Sequence, residues 1–303
     1  MTDYGPPSLV TTGYSWTECP RWHDGEFYFS DIHSGRVLRV DADGVAHVRL
    51  DLTGRGRPEQ PTPDGATTVV GTGFLPDGRL LVNLMFQRQT LVDDGGEVRV
   101  YADLSDIAVG PINDMVVDAA GRVYVSQLGY NIWNGEAART SPLIVIEPDG
   151  TARALTEAGD FAGANGLAIS ADGRVMVVAE TFAKRLIGLE LGPDGAIGRR
   201  WVFAELDRGP DGICLDEQGG VWVAQPGGTA LLRVLDGGTV TDRVPLDTAV
   251  TGRGTACLLG GPDRDILYIA CGFESADFIA SAREGRGAIW SARVPVGAGA
   301  ARP

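Results

Sequence analysis

A polar residue, an apolar run, a tight turn and a second apolar run recur six times along this chain, and few folds accommodate such a pattern. The unit is clearest in "NDMVVDAAGRVYVSQ" at 113–127. It returns as "NGLAISADGRVMVVAET" (165–181), "DGICLDEQGGVWVAQ" (211–225) and "VGTGFLPDGRLLVNL" (70–84), and more loosely as "ECPRWHDGEFYFSDI" (18–32) and "CLLGGPDRDILYIAC" (257–271). The turn positions Gly25, Gly78, Gly121, Gly173, Gly219 and Asp265 are separated by 53, 43, 52, 46 and 46 residues, the span of a four-stranded propeller blade. "DG" and "GG" at these turns supply the positive φ that short hairpins need. Third β-rich runs such as "RVLRVD", "LIVIEP", "RLIGLEL" and "ALLRVL" follow, and no long segment has a 3.6-residue apolar period.

Six such units consume nearly all of the 303 residues, so the expectation is an all-β, six-bladed β-propeller in which residues 1–303 form one domain, preferred over a pair of β-sandwiches. The composition suits a soluble globular chain: 44% hydrophobic, 22% charged, with mean hydropathy near zero. A net charge of −14 disfavours nucleic acid and anionic lipid, both of which need clustered Lys and Arg. Four cysteines without CxxC spacing point to free buried thiols rather than a zinc knuckle or a disulfide framework. "MTDYGPPSLVTTGYSW" lacks a basic start followed by an apolar stretch, and no run approaches a membrane span, so the expected location is cytoplasmic, with no membrane partner.

In a propeller the first strand of each blade lines the central channel, so residues that begin those strands converge. Counting back eight positions from each turn gives Val70, Asn113, Asn165, Asp211 and Cys257, while Glu18 lies seven before the first turn. Four of these six carry an oxygen donor. Two carboxylates buried in one ring, Glu18 and Asp211, repel each other unless a positive charge sits among them. Carboxylate and amide oxygens favour a hard divalent cation, Ca²⁺ first and then Mg²⁺ or Mn²⁺, over Zn²⁺.

With these residues in place, the chain resembles the SMP-30/gluconolactonase/luciferin-regenerating enzyme family over practically its full length. "ECPRW" is similar to the family's E-G-P-x-W, "PINDMVVDAAGRVYV" to its x-N-D-G stretch, "GANGLAISADG" to its P-N-G-L block and "GPDGICLDEQGGVWVA" to its P-D-G block. The resemblance implies a propeller with one divalent metal in the channel, held by Glu18, Asn165 and Asp211. It also implies Asp211 as acid/base and Asn113 as a substrate contact beside the metal, with the adjacent Asp114 expected to share that role. The implied reaction is hydrolysis of a lactone or related carboxylic ester, the cation polarising the carbonyl while Asp211 or bound hydroxide delivers water. Direct ligation would lower the pKa of Asp211, so it is no ordinary free base.

The chain also departs from the sugar-lactone members. Pro111 stands where they carry Arg, Met115 replaces a Gly, and "SQLGYNIWNGEAART" shows no obvious Glu for gripping sugar hydroxyls. Tyr130, Ile132 and Trp133 in that loop point to a small-molecule substrate more apolar than gluconolactone. Two rival outcomes stand beside hydrolysis: another metal-assisted reaction at the same site, and a non-catalytic propeller that binds calcium or a partner.

Several other residues receive expectations. Tyr14 and Trp16 are candidate pocket walls; Trp22, Trp222 and Trp290 read as blade packing. His23 and His33 are expected at the surface, and the three histidines all fall in the first blade, which leaves little material for a Ser-His-Asp triad. Cys257 reads as a packed thiol at the sixth channel position, and Glu180 and Thr181 as rim or supporting groups. Residues 53–66, "TGRGRPEQPTPDGA", read either as a lid over the channel or as a solvent loop.

Overall fold

The computed structural model describes residues 1–41, 43–53, 55 and 67–303. Nearly all of the 53–66 insertion therefore lies outside the described residues. Each of the six hairpin units grows into one antiparallel sheet, and the six sheets form a propeller. The innermost strands are Thr17–His23, Val69–Phe74, Ile112–Val117, Ala164–Ile169, Ile213–Leu215 and Arg253–Gly260, for blades one to six.

Blades one to five take their strands in chain order, whereas blade six is closed by the N-terminal strand Ser8–Tyr14, which pairs antiparallel with Gly287–Arg293. The first and last blades are thereby joined through backbone hydrogen bonds, and the ring cannot open without breaking a ladder. Thr2–Asp3 adds a short parallel strand to the outer edge of blade five at Val240–Pro245.

Apolar side chains from facing blades fill the seams. Val116, Tyr124, Leu167 and Val178 belong to one buried cluster between blades three and four, and Cys214, Trp222, Cys257 and Ile269 to another between blades five and six. Trp222 is fully buried and Trp22 stacks on Tyr268 at 6.1 Å, in line with the blade-packing expectation. All four cysteines are buried and free.

Two glycines let the inner strands approach closely enough to form a narrow channel. A Cβ on Gly166 would lie 2.6 Å from the Asp211 carbonyl oxygen, and one on Gly212 would lie 2.3 Å from the Ala256 Cβ. Each glycine directly follows a channel residue, Asn165 or Asp211, which explains the "NG" and "DG" pairs as a packing requirement rather than a turn.

The inner strands are also irregular at one shared place. Register shifts fall between Glu18 and Arg21, Val69 and Thr72, Ile112 and Met115, Ala164 and Leu167, and Gly254 and Ala256. A bulge bends its strand and re-aims the side chains beside it, and here it occurs where each strand enters the channel. Among the described residues one α-helix is present, Phe278–Glu284, inserted between the last two strands of blade six. It is not long and apolar enough to cross a membrane.

Candidate active site in the channel

The backbone register identifies the equivalent channel positions independently of counting from turns. Ile112 pairs with Gln127, Ala164 with Glu180, Val69 with Leu84, Thr17 with Asp31 and Gly254 with Cys271. The residues that follow are Asn113, Asn165, Val70, Glu18 and Thr255. Asp211 completes the set, because its carbonyl accepts from the Gly166 amide as the Thr255 carbonyl accepts from Gly212.

The sixth position is therefore Thr255, and the assignment to Cys257 is corrected by two residues. The blade-six turn has the same length as those of blades two, three and five, but its inner strand runs one residue longer and Asp265 sits one place later in the turn, so counting back eight stops short of the channel position. Thr255 turns its hydroxyl into the wall, donating to the Thr17 carbonyl at 2.7 Å. Cys257 packs between blades five and six, with Sγ 3.8 Å from Cys214 Sγ and 3.3 Å from the Trp222 carbonyl oxygen.

Glu18, Asn113, Asn165 and Asp211 all line one cavity of about 310 Å³ at the channel mouth. Asn113 Nδ2 donates to Asn165 Oδ1 at 2.9 Å, and Asn165 Nδ2 donates to Thr181 Oγ1 at 3.3 Å. Thr181, whose hydroxyl donates to the Pro210 carbonyl at 2.7 Å, thus holds the Asn165 amide with its oxygen toward Asn113. Glu18 receives the Cys19 amide at 3.1 Å. Cys19 itself adopts φ 46°, the left-handed region, at the position where the similar family motif carries glycine.

Burial raises the pKa of both carboxyl groups. Glu18 is held well above the ordinary glutamate range by desolvation and by the charge of Asp211, with the Cys19 amide opposing. Asp211 is pushed up to about 7 by desolvation, opposed by a hydrogen bond from Asn165, while the charge on Asp114 adds to the rise. Two buried acids that resist ionisation form a site that a cation would complete. No three His, Cys, Asp or Glu side chains gather at one point among the described residues. A cation here therefore depends on amide oxygen as well as the two carboxylates, and that donor set suits a hard ion.

The remaining candidates are distributed unevenly. Trp133 and Ile132 line the cavity, and Tyr130 stands beside it with its ring 5.4 Å from the cavity-lining Phe182. Asp114 does not line it: the bulge turns its carboxylate inward to a buried ion pair with Arg21 at 2.7 Å. Tyr14 is also placed elsewhere, edge-on to Phe29 with its hydroxyl on Thr11, whereas Trp16 does form part of the wall. Glu180 is occupied by the Ala162 amide and by Arg185. His23 lies flat against Phe74 at 3.9 Å.

His33 is corrected from surface to interior. It is 1% exposed and sandwiched between Trp16 and Phe278, and desolvation pushes its pKa down to about 3, so it stays neutral. Phe278 was not anticipated from sequence, although Asp277 as N-cap and Gly285 at the C-cap, with φ 58°, bracket its short helix and are visible as "DFIASAREG".

Comparison with known proteins follows the same outline. The model of the family described as SMP-30/Gluconolactonase/LRE-like region matches residues 16–272. The chain is 28% identical over 267 residues to pentonolactonase XacC of Haloferax volcanii, covering 86% of this chain and 83% of that protein. It is 30% identical over 267 residues to 6-deoxy-6-sulfogluconolactonase of Pseudomonas putida, covering 85% and 84%. Among solved structures, a calcium-binding regucalcin from Agrobacterium tumefaciens superposes with a TM-score of 0.77 at 19% identity, covering 98% of this chain and 97% of that one.

Proposed function

The chain belongs to the SMP-30/gluconolactonase/LRE-like family, and on that premise we propose that it is a divalent-metal-dependent hydrolase of a lactone or related carboxylic ester. What supports this reading most is the shared cavity: two buried carboxyl groups and two amides, delivered by four blades, beside an apolar wall that admits a small molecule. The lactonase names of its relatives agree in reaction class.

Glu18, Asn165 and Asp211 would hold the ion. When bound, a divalent cation supplies Lewis-acid polarisation of the substrate carbonyl and compensates the two carboxylates, with Ca²⁺ the first choice. Asp211 takes a proton from the attacking water on a carboxylate oxygen and returns it to the ring oxygen as the C–O bond opens. One water is consumed and a hydroxy acid leaves. Asn113, tethered through Asn165, offers its amide to the substrate, and the aromatic wall limits bulk water around the reacting carbonyl.

The test is a lactone panel assayed by acid release before and after chelation, followed by addition of Ca²⁺, Mg²⁺, Mn²⁺ or Zn²⁺. Loss of turnover on chelation and its return with one of these ions is expected. Undiminished turnover in metal-free protein, or none on any lactone or ester with any ion, contradicts the proposal.

A further inference from the structure

The wall above Glu18 and Asp211 is a continuous row of rings drawn from separate parts of the chain. Phe278 lies flat on His33, with centroids 4.0 Å apart and planes 15° apart, and Trp16 continues the row beyond His33 at 6.2 Å. On the other side Trp133 meets Phe278 edge-on at 5.5 Å and Phe86 at 5.6 Å. Trp133 Nε1 donates to the Ser275 carbonyl at 3.4 Å, which joins the blade-three loop to the blade-six insertion across the mouth. A polyol laid against these faces would leave hydroxyl groups buried without hydrogen-bond partners. A flat apolar group loses nothing there and gains ring contact.

Arg253 is the counterpoint. It starts the inner strand of blade six, lines the same cavity and remains exposed. Among the described residues it is the only Lys or Arg lining that cavity, and its guanidinium makes no hydrogen bond or ion pair with them. The nearby Glu274 carboxylate takes the amides of Ala276 and Asp277 on one oxygen, and the Arg253 charge acts on it only at longer range, without a hydrogen bond or ion pair. An uncommitted guanidinium at the edge of an apolar pocket matches a carboxylate or sulfonate through two parallel hydrogen bonds.

We infer that the preferred substrate is an anionic arylated lactone, whose ring packs on Trp133 where Phe278 backs it, whose acidic substituent pairs with Arg253, and whose carbonyl faces Asp211. This deepens the hydrolase reading and rests on it for the carbonyl's position. Trp133 and Arg253 become specificity residues outside the group that carries the reaction, with Phe278 holding Trp133 from behind.

Titration calorimetry with lactams, which mimic the ring but resist hydrolysis, separates binding from turnover. The probes are 3,4-dihydro-2-quinolinone-6-carboxylate, its uncharged parent and gluconolactam, and the corresponding lactones are assayed in parallel. Affinity is expected to fall in that order. R253M should weaken the carboxylate probe at least tenfold and leave the uncharged parent unchanged, while W133L, which keeps an apolar side chain, should weaken both aryl probes several-fold. Tightest binding of gluconolactam, or equal loss of both aryl probes in R253M, overturns the inference. Aryl lactams that bind in the expected order while no lactone turns over would refute the hydrolase reading and leave the ligand class standing. Gluconolactone as best substrate with no aryl binding would do the reverse.

Discussion

Asn113 Nδ2 donates to Asn165 Oδ1 at 2.9 Å, linking residues 52 positions apart on the inner strands of neighbouring blades. Only Asn165 is held at both ends of its amide, by Asn113 at the oxygen and by Thr181 at the nitrogen. Their substitutions should therefore differ. N165A is expected to weaken divalent-ion affinity at least tenfold, in the range seen when metal ligands lose support. N113A should retain the ion and lose turnover instead. Ion titration beside steady-state kinetics on both variants checks this, and equal loss of ion affinity in the two would contradict it.

Asp211 gives the metal-free protein a stability that depends on pH. Its folded pKa, about 7, stands above the 3.8 of an ordinary aspartate. A raised carboxyl pKa contributes stability that is present in full below about pH 4 and lost by about pH 7, at up to about 1.4 kcal/mol per pH unit for one proton. The difference in urea midpoint between wild type and D211N, measured with chelator, should grow in favour of D211N across that window. At neutral pH D211N should be the more stable protein and lack turnover. A pH-independent difference would show that the acid is not destabilised by burial.

Cys19 holds φ 46°, a left-handed conformation costing a non-glycine residue about 1–2 kcal/mol. C19A keeps that strain and loses the buried thiol, whereas C19G loses the thiol and releases the strain. C19G should therefore be at least as stable as C19A, by thermal or urea unfolding, despite its smaller side chain. A C19G protein less stable than C19A by 1 kcal/mol or more would contradict the strain argument.

Asp114 acts on the site from beneath. Its ion pair with Arg21 is buried on both sides, and its charge is among the causes that raise the pKa of Glu18 and Asp211. D114N should cost about 3–5 kcal/mol, because it strands a buried guanidinium. It should also move the acid limb of the rate profile to lower pH. The double replacement R21M with D114L should recover most of the stability, and a D114N rate profile that does not move would remove Asp114 from the site's electrostatics.

Local chemistry that repeats was legible in the sequence. The hairpin turns exposed the blades, and the polar residue before each inner strand exposed Glu18, Asn113, Asn165 and Asp211, which do line one cavity. Counting failed where the spacing changed: a longer inner strand in blade six, with Asp265 one place later in the turn than the glycines, moved the channel position from Cys257 to Thr255. Asp114, brought in beside Asn113 by the resemblance rather than by the count, turns its carboxylate to Arg21 and not to the cavity. The aromatic wall was half visible. Trp133 stood out in its loop, but His33 and Phe278 are 245 residues apart and acquire meaning only when blades one and six close on each other. The helix that carries Phe278 has seven residues, too few for apolar periodicity to register against its caps.

Anomalous scattering from crystals of the full chain equilibrated with Mn²⁺ bears most directly on the metal centre. A single strong peak is expected between Glu18, Asn165 and Asp211, at about 2.0–2.6 Å from their oxygens, and it should vanish in D211N along with turnover. Anomalous density elsewhere in the molecule, with that point empty in fully active protein, would contradict the account.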